Sequence, residues 1–302
     1  MMPRFAAYNA DVASKKPQAT AKERIQQEVL SMESKNKIEL VVFDWAGTTV
    51  DYGSSAPSEV FDRVFRAAGL RLTKEEINRP MGLEKKAHIR ELLSCESGRN
   101  QWQGQYGRPW YDEDVDALYE KFEATLHEVV AERSDPMDGV VETVDALRRA
   151  GLKIGSTTGY NDWMMEQVLP RAAAGGYTPD CVVTPDATGI GRPSPFMLFE
   201  CMRRMKVYPP CHVVKVGDTT VDMQEGKNAG AFSIGILTGS NLLGLTPEEY
   251  AALPAVELAR RKQDATRRYL EAGADLVIDS IRELPAAIEE LNRRLADKEA
   301  SL

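Results

Sequence analysis

An apolar run, Val41-Val-Phe43, breaks off at Asp44, and small turn-forming residues follow as far as Asp51. A buried parallel strand delivers a carboxylate to the rim of a sheet in this way, and open α/β folds bind ligands at that rim. Three later segments carry complementary groups: Thr157-Thr158, Arg192, and Asp218 with Asp222. Carboxylates from two separate segments, with a hydroxyl and a cation, suit a phosphoryl group and Mg²⁺. Hard oxygens hold the metal, while the hydroxyl and the cation hold the remaining phosphate oxygens. A carboxylate left free to attack would form an aspartyl phosphate. Taken singly, each has an ordinary use. An Asp at a strand end caps a helix or shapes a turn, Gly217-Asp218-Thr219 can be a turn, and Arg192 before a helix can be a solvated surface charge. Their order along the chain is what joins them.

The elements that must position these groups alternate. Strands are expected at 38–43, 152–156, 181–184, 212–216, 232–237 and 276–278. Helices are expected at 140–150, 162–174, 195–205, 221–229, 254–272 and from 281 onward. Such alternation implies a doubly wound, Rossmann-like parallel sheet of the α/β class. Between 53 and 137 the pattern is helical instead, at 57–68, 80–93 and 112–132, with Thr73 and Glu76 spaced as a capping box. Residues 97–111, rich in Gly, Gln and Trp, read as a loop. The expected organisation is therefore a core of residues 37–52 and 139–302, an inserted all-helical cap of residues 53–138, and an extension of residues 1–36. Within that extension, residues 21–32 are expected to be helical behind Thr20.

Composition narrows the class. The 302 residues are 43% hydrophobic and 28% charged, which is globular, and the net charge of −8 argues against a nucleic-acid surface. No run approaches the roughly 20 apolar residues of a membrane span. The extension has no apolar core of the kind a secretory signal carries, and its acidic residues count against an organelle transit peptide. Four cysteines without C-x-x-C spacing and three scattered histidines fit a reducing compartment, so a cytoplasmic location is expected.

Phe43-Asp44-x-Ala46-Gly-Thr-Thr-Val-Asp51, Ser156-Thr-Thr-Gly-Tyr160, Gly191-Arg-Pro193 and Val216-Gly-Asp-Thr-x-x-Asp222 follow the motif order of the haloacid dehalogenase superfamily. Within it, Asp44-Trp-Ala-Gly-Thr-Thr-Val-Asp-Tyr-Gly53, Pro80-Met-Gly-Leu83 with Lys85 and His88, and Ile154-Gly-Ser-Thr-Thr-Gly-Tyr160 resemble the phosphonoacetaldehyde hydrolases (phosphonatases). The resemblance spans about 38–288. It implies hydrolysis of the P–C bond of phosphonoacetaldehyde to acetaldehyde and phosphate. Asp44 would be the nucleophile. Asp44, the Ala46 carbonyl and Asp218 would hold Mg²⁺, with Asp222 orienting or ligating through water. Thr158 and Arg192 would bind the phosphoryl oxygens. Lys85 would form a Schiff base with the aldehyde and His88 would shuttle its protons. Met81, Gly159 and Tyr160 would line the substrate site. The resemblance also implies a homodimer formed through the cap, although Val60, Val64 and Phe65 suit core packing equally well.

The chemistry accounts for these residues. A P–C bond does not simply hydrolyse, because the departing carbon would carry a full negative charge. An iminium on a lysine takes up those electrons as an enamine, and its formation needs a neutral amine. An exposed lysine titrates near roughly 10.4, so Lys85 must be buried or lie beside another cation. His88, three residues on, falls on the same helix face, while Lys86 does not and serves as the solvated comparison. Ester-cleaving relatives place an acid at the position of Ala46 to protonate a departing alkoxide, and a carbon leaving group has no such oxygen. The alternative is a phosphomonoesterase or phosphomutase of the same superfamily. One departure is Ser54, where relatives can carry Cys.

Overall fold

The computed structural model describes residues 37–300, so the expected helix at 21–32 lies outside the described residues. Six strands form one all-parallel sheet: β1 (Leu40–Phe43), β2 (Lys153–Thr157), β3 (Cys181–Val183), β4 (Val213–Gly217), β5 (Phe232–Ile236) and β6 (Leu276–Ile278). Their order is β3-β2-β1-β4-β5-β6. The direction of winding reverses between β1 and β4, and the crevice at that switch point is where doubly wound sheets bind ligands. Every residue of β1 and β4 is buried, as a parallel sheet covered on both faces requires. Phe43 pairs with Ser156 on one side and with Val216 on the other. The next residues along the chain, Asp44, Thr157 and Gly217, therefore stand side by side at the C-terminal rim of the sheet.

Between β1 and the helix that leads into β2, five α-helices form an insert: α1 (Ser55–Ala67), α2 (Lys74–Asn78), α3 (Lys85–Ser94), α4 (Glu96–Tyr106) and α5 (Asp112–Val129). They pack mainly on one another, with α1 and α3 against α5. Phe61, Ile89, Trp102 and Phe122 are buried among them, in an apolar cluster continuous with Phe43 and Trp45. Two strands of chain join this insert to the sheet, and they are clamped together. Val50 bridges Pro136, and the Met137 amide donates to the Thr49 carbonyl at 2.9 Å. The remaining helices flank the sheet: α6 (Val140–Arg149), α7 (Asp162–Ala174), α8 (Pro185–Thr188), α9 (Phe196–Met205), α10 (Thr220–Ala229), α11 (Pro247–Ala252), α12 (Ala255–Ala272) and α13 (Leu284–Ala300).

The capping box of Thr73 and Glu76 is present at the start of α2. Residues 97–111 are not simply a loop, because α4 occupies 96–106. The glycines there misled. A Cβ on Gly98 would lie 1.9 Å from the Leu92 carbonyl, so Gly98 marks a close helix–helix contact rather than a turn. Burial of Trp102 then holds the helix against its weak propensity. The helix expected from Pro80 begins only at Lys85, because the Glu84 carboxylate accepts from the Lys86 and Ala87 amides and caps it there. The preceding stretch, 80–83, is a turn. The short α8 and α11 were not foreseen.

Candidate active site

Asp44 sits one residue past β1, with its amide bonded to the Val216 carbonyl at 2.9 Å, which extends the ladder and fixes the side chain at the rim. The chain then turns tightly, as the amides of Thr48, Thr49 and Val50 all point at the Trp45 carbonyl. Gly47 has φ +84, and a Cβ there would lie 2.0 Å from Asp218 Oδ2. Only glycine lets the loop pass so close to the second carboxylate.

Asp44, Asp218 and Asp222 form a buried cluster whose ligand atoms lie within 4.8 Å of one another. Arg192 enters it, with Nη1 3.0 Å from Asp44 Oδ1 and bonded also to Asp222 Oδ1. Asp222 is gripped at both oxygens, since its Oδ2 accepts from the Thr219 hydroxyl and amide. It therefore anchors Arg192 more readily than it could bind a metal directly. Asp218 Oδ2 accepts from the Asn241 amide at 2.8 Å and the Ser54 hydroxyl at 3.2 Å. The same Ser54 hydroxyl lies 3.0 Å from the Ala46 carbonyl. Ser54 thus ties together two of the expected metal ligands.

Electrostatics test whether a divalent cation fits. Within this cluster four buried carboxylates, Asp44, Asp218, Asp222 and Glu225, face the two cations that ion-pair there, Arg192 and Lys215, so full ionisation leaves the cluster two negative charges in excess. Burial pushes the Asp44 carboxyl above its ordinary range against the pull of Arg192. Burial and the two neighbouring carboxylates push Asp218 well above that range. Asp222 is also buried, yet Arg192 and Lys215 hold it below the range. A hard dication on the carboxylate and carbonyl oxygens would supply the missing charge, so the donor set fits one.

Above this cluster lies a small cavity of about 20 Å³ lined by Asp44, Ala46, Met81, Lys85, Thr158, Gly159, Tyr160 and Arg192, with Ser54 and Thr219 beside them. It holds about one water-sized body, so the site is closed. The insert closes it through its 80–83 turn. A Cβ on Gly82 would meet Val221 and Thr219 at 2.5 and 2.7 Å, and a Cβ on Gly159 would meet the Gly82 and Leu83 carbonyls at 3.2 Å. A larger groove of about 640 Å³, lined by Lys74, Arg79, Asn241 and Arg268, holds none of the groups facing the cavity.

Lys85, at the start of α3, is only 4% exposed. Its Nζ lies 5.2 Å from the Tyr160 ring centroid and 5.9 Å from that of Phe61. Burial, assisted by the Arg192 charge, lowers its pKa to about 8. Lys86 points away and pairs with Asp116 at 2.8 Å, which raises its pKa, so it is a half-exposed ion-pair partner rather than a free charge. His88 is fully buried one turn along α3, stacked on Phe61 at 3.9 Å and bonded through Nε2 to the Ile77 carbonyl at 2.8 Å. A carbonyl only accepts, so Nε2 carries the proton and Nδ1 is a bare lone pair. That Nδ1 is buried without a partner. Burial and the Lys85 charge keep the ring neutral by lowering its pKa well below the ordinary value. His88 does not line the cavity but stands behind Lys85. Burial also holds the Tyr160 phenol well above its usual pKa, so it stays protonated, and its amide donates to Thr158 Oγ1 at 3.0 Å.

Three buried participants gave little signal in the sequence. Ser54 stood out only as a departure. Lys215 sits inside an apolar strand, and Glu225 sits on the helix expected at 221–229 outside any of the motifs. Val60, Val64 and Phe65 are buried within the chain, as core packing required.

Residues 38–230 match the model of the haloacid dehalogenase-like hydrolases. The phosphonoacetaldehyde hydrolase of Bacteroides fragilis is 48% identical over 259 residues, covering 86% of this chain and 98% of that protein. The enzyme of the same name from Bacillus cytotoxicus is 45% identical over 258 residues, covering 85% and 98%. The crystal structure of a phosphonoacetaldehyde hydrolase-like protein from Oleispira antarctica superposes with a TM-score of 0.84 at 37% identity, over 86% of this chain and 94% of that one.

Proposed function

Since the chain belongs to the haloacid dehalogenase-like hydrolases, and among them to the phosphonoacetaldehyde hydrolase family, we propose that it cleaves the P–C bond of phosphonoacetaldehyde through a Schiff base on Lys85 and an aspartyl phosphate on Asp44. The observation that carries this is Lys85 itself. It is a buried lysine with its pKa lowered to about 8, facing the same cavity as Asp44 and Arg192. A lysine that only attracted a phosphate would gain from keeping its charge. One that condenses with an aldehyde must lose it.

The neutral Lys85 amine adds to the aldehyde carbon, and the carbinolamine loses water to give an iminium. Nδ1 of His88 takes and returns the protons of these steps, directly or through water, while Nε2 stays on the Ile77 carbonyl. A carboxylate oxygen of Asp44 then attacks phosphorus from the rim, with Arg192 Nη1 and the Thr158 hydroxyl set to hold the phosphoryl oxygens. The P–C electron pair passes into the iminium and leaves an enamine, so no free carbanion forms and no acid is needed where Ala46 stands. Protonation of the enamine carbon and hydrolysis of the imine release acetaldehyde. Water attack on the aspartyl phosphate releases phosphate. Asp44, the Ala46 carbonyl and Asp218 would hold Mg²⁺, with Asp222 orienting it through water. When bound, it would neutralise the excess charge of the cluster and of the phosphoryl group.

The cavity is too small to admit the substrate, so residues 53–138 act as a cap that swings off the rim about the clamped connections near Val50 and Pro136 and then excludes water. The proposal includes a homodimer, which light scattering on the purified protein would reveal. The activity is tested by assaying phosphate and acetaldehyde release from phosphonoacetaldehyde, with and without Mg²⁺, beside a panel of phosphate monoesters. Stoichiometric release of both products is expected. Strong monoester turnover without phosphonate cleavage would instead identify a phosphatase or phosphomutase.

A further inference from the structure

Lys215 lies at the centre of β4 between apolar neighbours and is fully buried. A charge there carries a heavy desolvation cost, and an apolar residue of similar size would serve stability as well or better. Its ammonium is nonetheless fully used. Nζ lies 2.7 Å from Thr157 Oγ1, 3.1 Å from Glu225 Oε2 and 3.1 Å from Asp222 Oδ1, one acceptor for each hydrogen. The Thr157 hydroxyl in turn donates to Glu225 Oε2 at 2.9 Å. This network ties the end of β2 to the middle of β4 and to two residues one turn apart on α10. Gly217 makes it possible, because a Cβ there would lie 2.3 Å from the Asp222 carboxyl carbon. The network meets the site at one atom, Asp222 Oδ1, which also receives Arg192 Nη1 on its way to Asp44.

We infer that Lys215 and Glu225, joined by Thr157, are positioning residues that lock Asp222 and thereby aim Arg192 at the phosphoryl group held over Asp44. Resting on the proposed assignment of that site, the inference requires that the network set how tightly and in what geometry phosphoryl oxygens are bound, beyond any contribution to folding.

The decisive comparison is Lys215→Met against Lys215→Met/Glu225→Gln, read by thermal melting, by calorimetric binding of inorganic phosphate with Mg²⁺ present, and by turnover. The single variant strands the Glu225 charge and melts lower. The double variant removes both charges and recovers most of the melting temperature, yet binds phosphate about tenfold more weakly and turns over about 30-fold more slowly, with a smaller change in KM. Wild-type phosphate binding and turnover in the double variant would make the network purely structural and overturn the inference. If the double variant does not fold, Thr157→Val, which removes only a hydroxyl, takes its place. It should weaken phosphate binding about threefold or more, and unchanged binding would overturn the inference equally. Phosphate binding does not depend on which bond is cleaved, so failure of the P–C assignment would show separately, as absent phosphonate turnover in the wild type.

Discussion

Lys85→Met should abolish turnover and at the same time stabilise the protein. Holding the Lys85 ammonium in its buried site lowers its pKa from 10.5 to about 8, so the unfolded chain binds that proton more tightly than the folded one. Below pH 8 both states are protonated and the full cost of the buried charge, about 3 kcal/mol, falls on the folded state. As pH rises from about 8 toward 10.5 the folded state has already lost its proton, and the cost shrinks to about 1.4 kcal/mol near pH 9.5. A methionine fills the same space with no proton to lose. The gain in unfolding free energy of Lys85→Met over wild type should therefore fall by about 2 kcal/mol between about pH 7 and about pH 9.5. Urea titration of both proteins at the two pH values gives that difference directly. The slope with pH is diagnostic, because any packing gain from methionine is the same at both. A gain that does not change with pH would show that Lys85 is not held with a lowered pKa, and the physical basis for its nucleophilic role would fall with it.

Ser54→Ala should weaken divalent-cation binding about three- to tenfold, seen by calorimetry, because it frees the Ala46 carbonyl and Asp218 from their shared hydroxyl. Ser54→Cys should lose less than that. Gly159→Ala should raise KM about tenfold with little change in melting temperature, since the added methyl meets the Gly82 and Leu83 carbonyls that close the site. Ala46→Asp should cut phosphonate turnover at least about tenfold by adding a further carboxylate beside Asp44 and Asp218, and steady-state assays would show it. The wild-type kcat/KM should rise with pH toward a plateau through an apparent pKa near 8, as the Lys85 amine deprotonates, and a profile flat between about pH 6.5 and 9 would contradict this.

Much of the site was legible because strand ends in a parallel sheet converge by construction. Asp44, Thr158 and Asp218 needed only their strands to be recognised in order to be placed together. Lys85 and His88 stand out only through the resemblance to the phosphonoacetaldehyde hydrolases, and helical spacing adds that the two share one face of α3. What escaped depends on register and backbone conformation, which spacing does not reveal. Lys215 and Glu225 look like a stray charge in a strand and a solvated residue on a helix until Thr157 and Asp222 are brought beside them. Ser54 points at Asp218 because its backbone is left-handed, with φ +51, a conformation seldom expected of serine. The helix at 96–106 hid behind its two glycines, of which Gly98 serves a close packing contact.

The central claim is that Lys85 bonds covalently to the substrate while Asp44 takes the phosphoryl group. Borohydride reduction of the enzyme during turnover of phosphonoacetaldehyde, followed by peptide mass spectrometry, tests it most directly. An ethyl group on Lys85, absent without substrate and absent in Lys85→Arg, is the predicted result. Full turnover by Lys85→Arg with no adduct on the wild type would contradict the account.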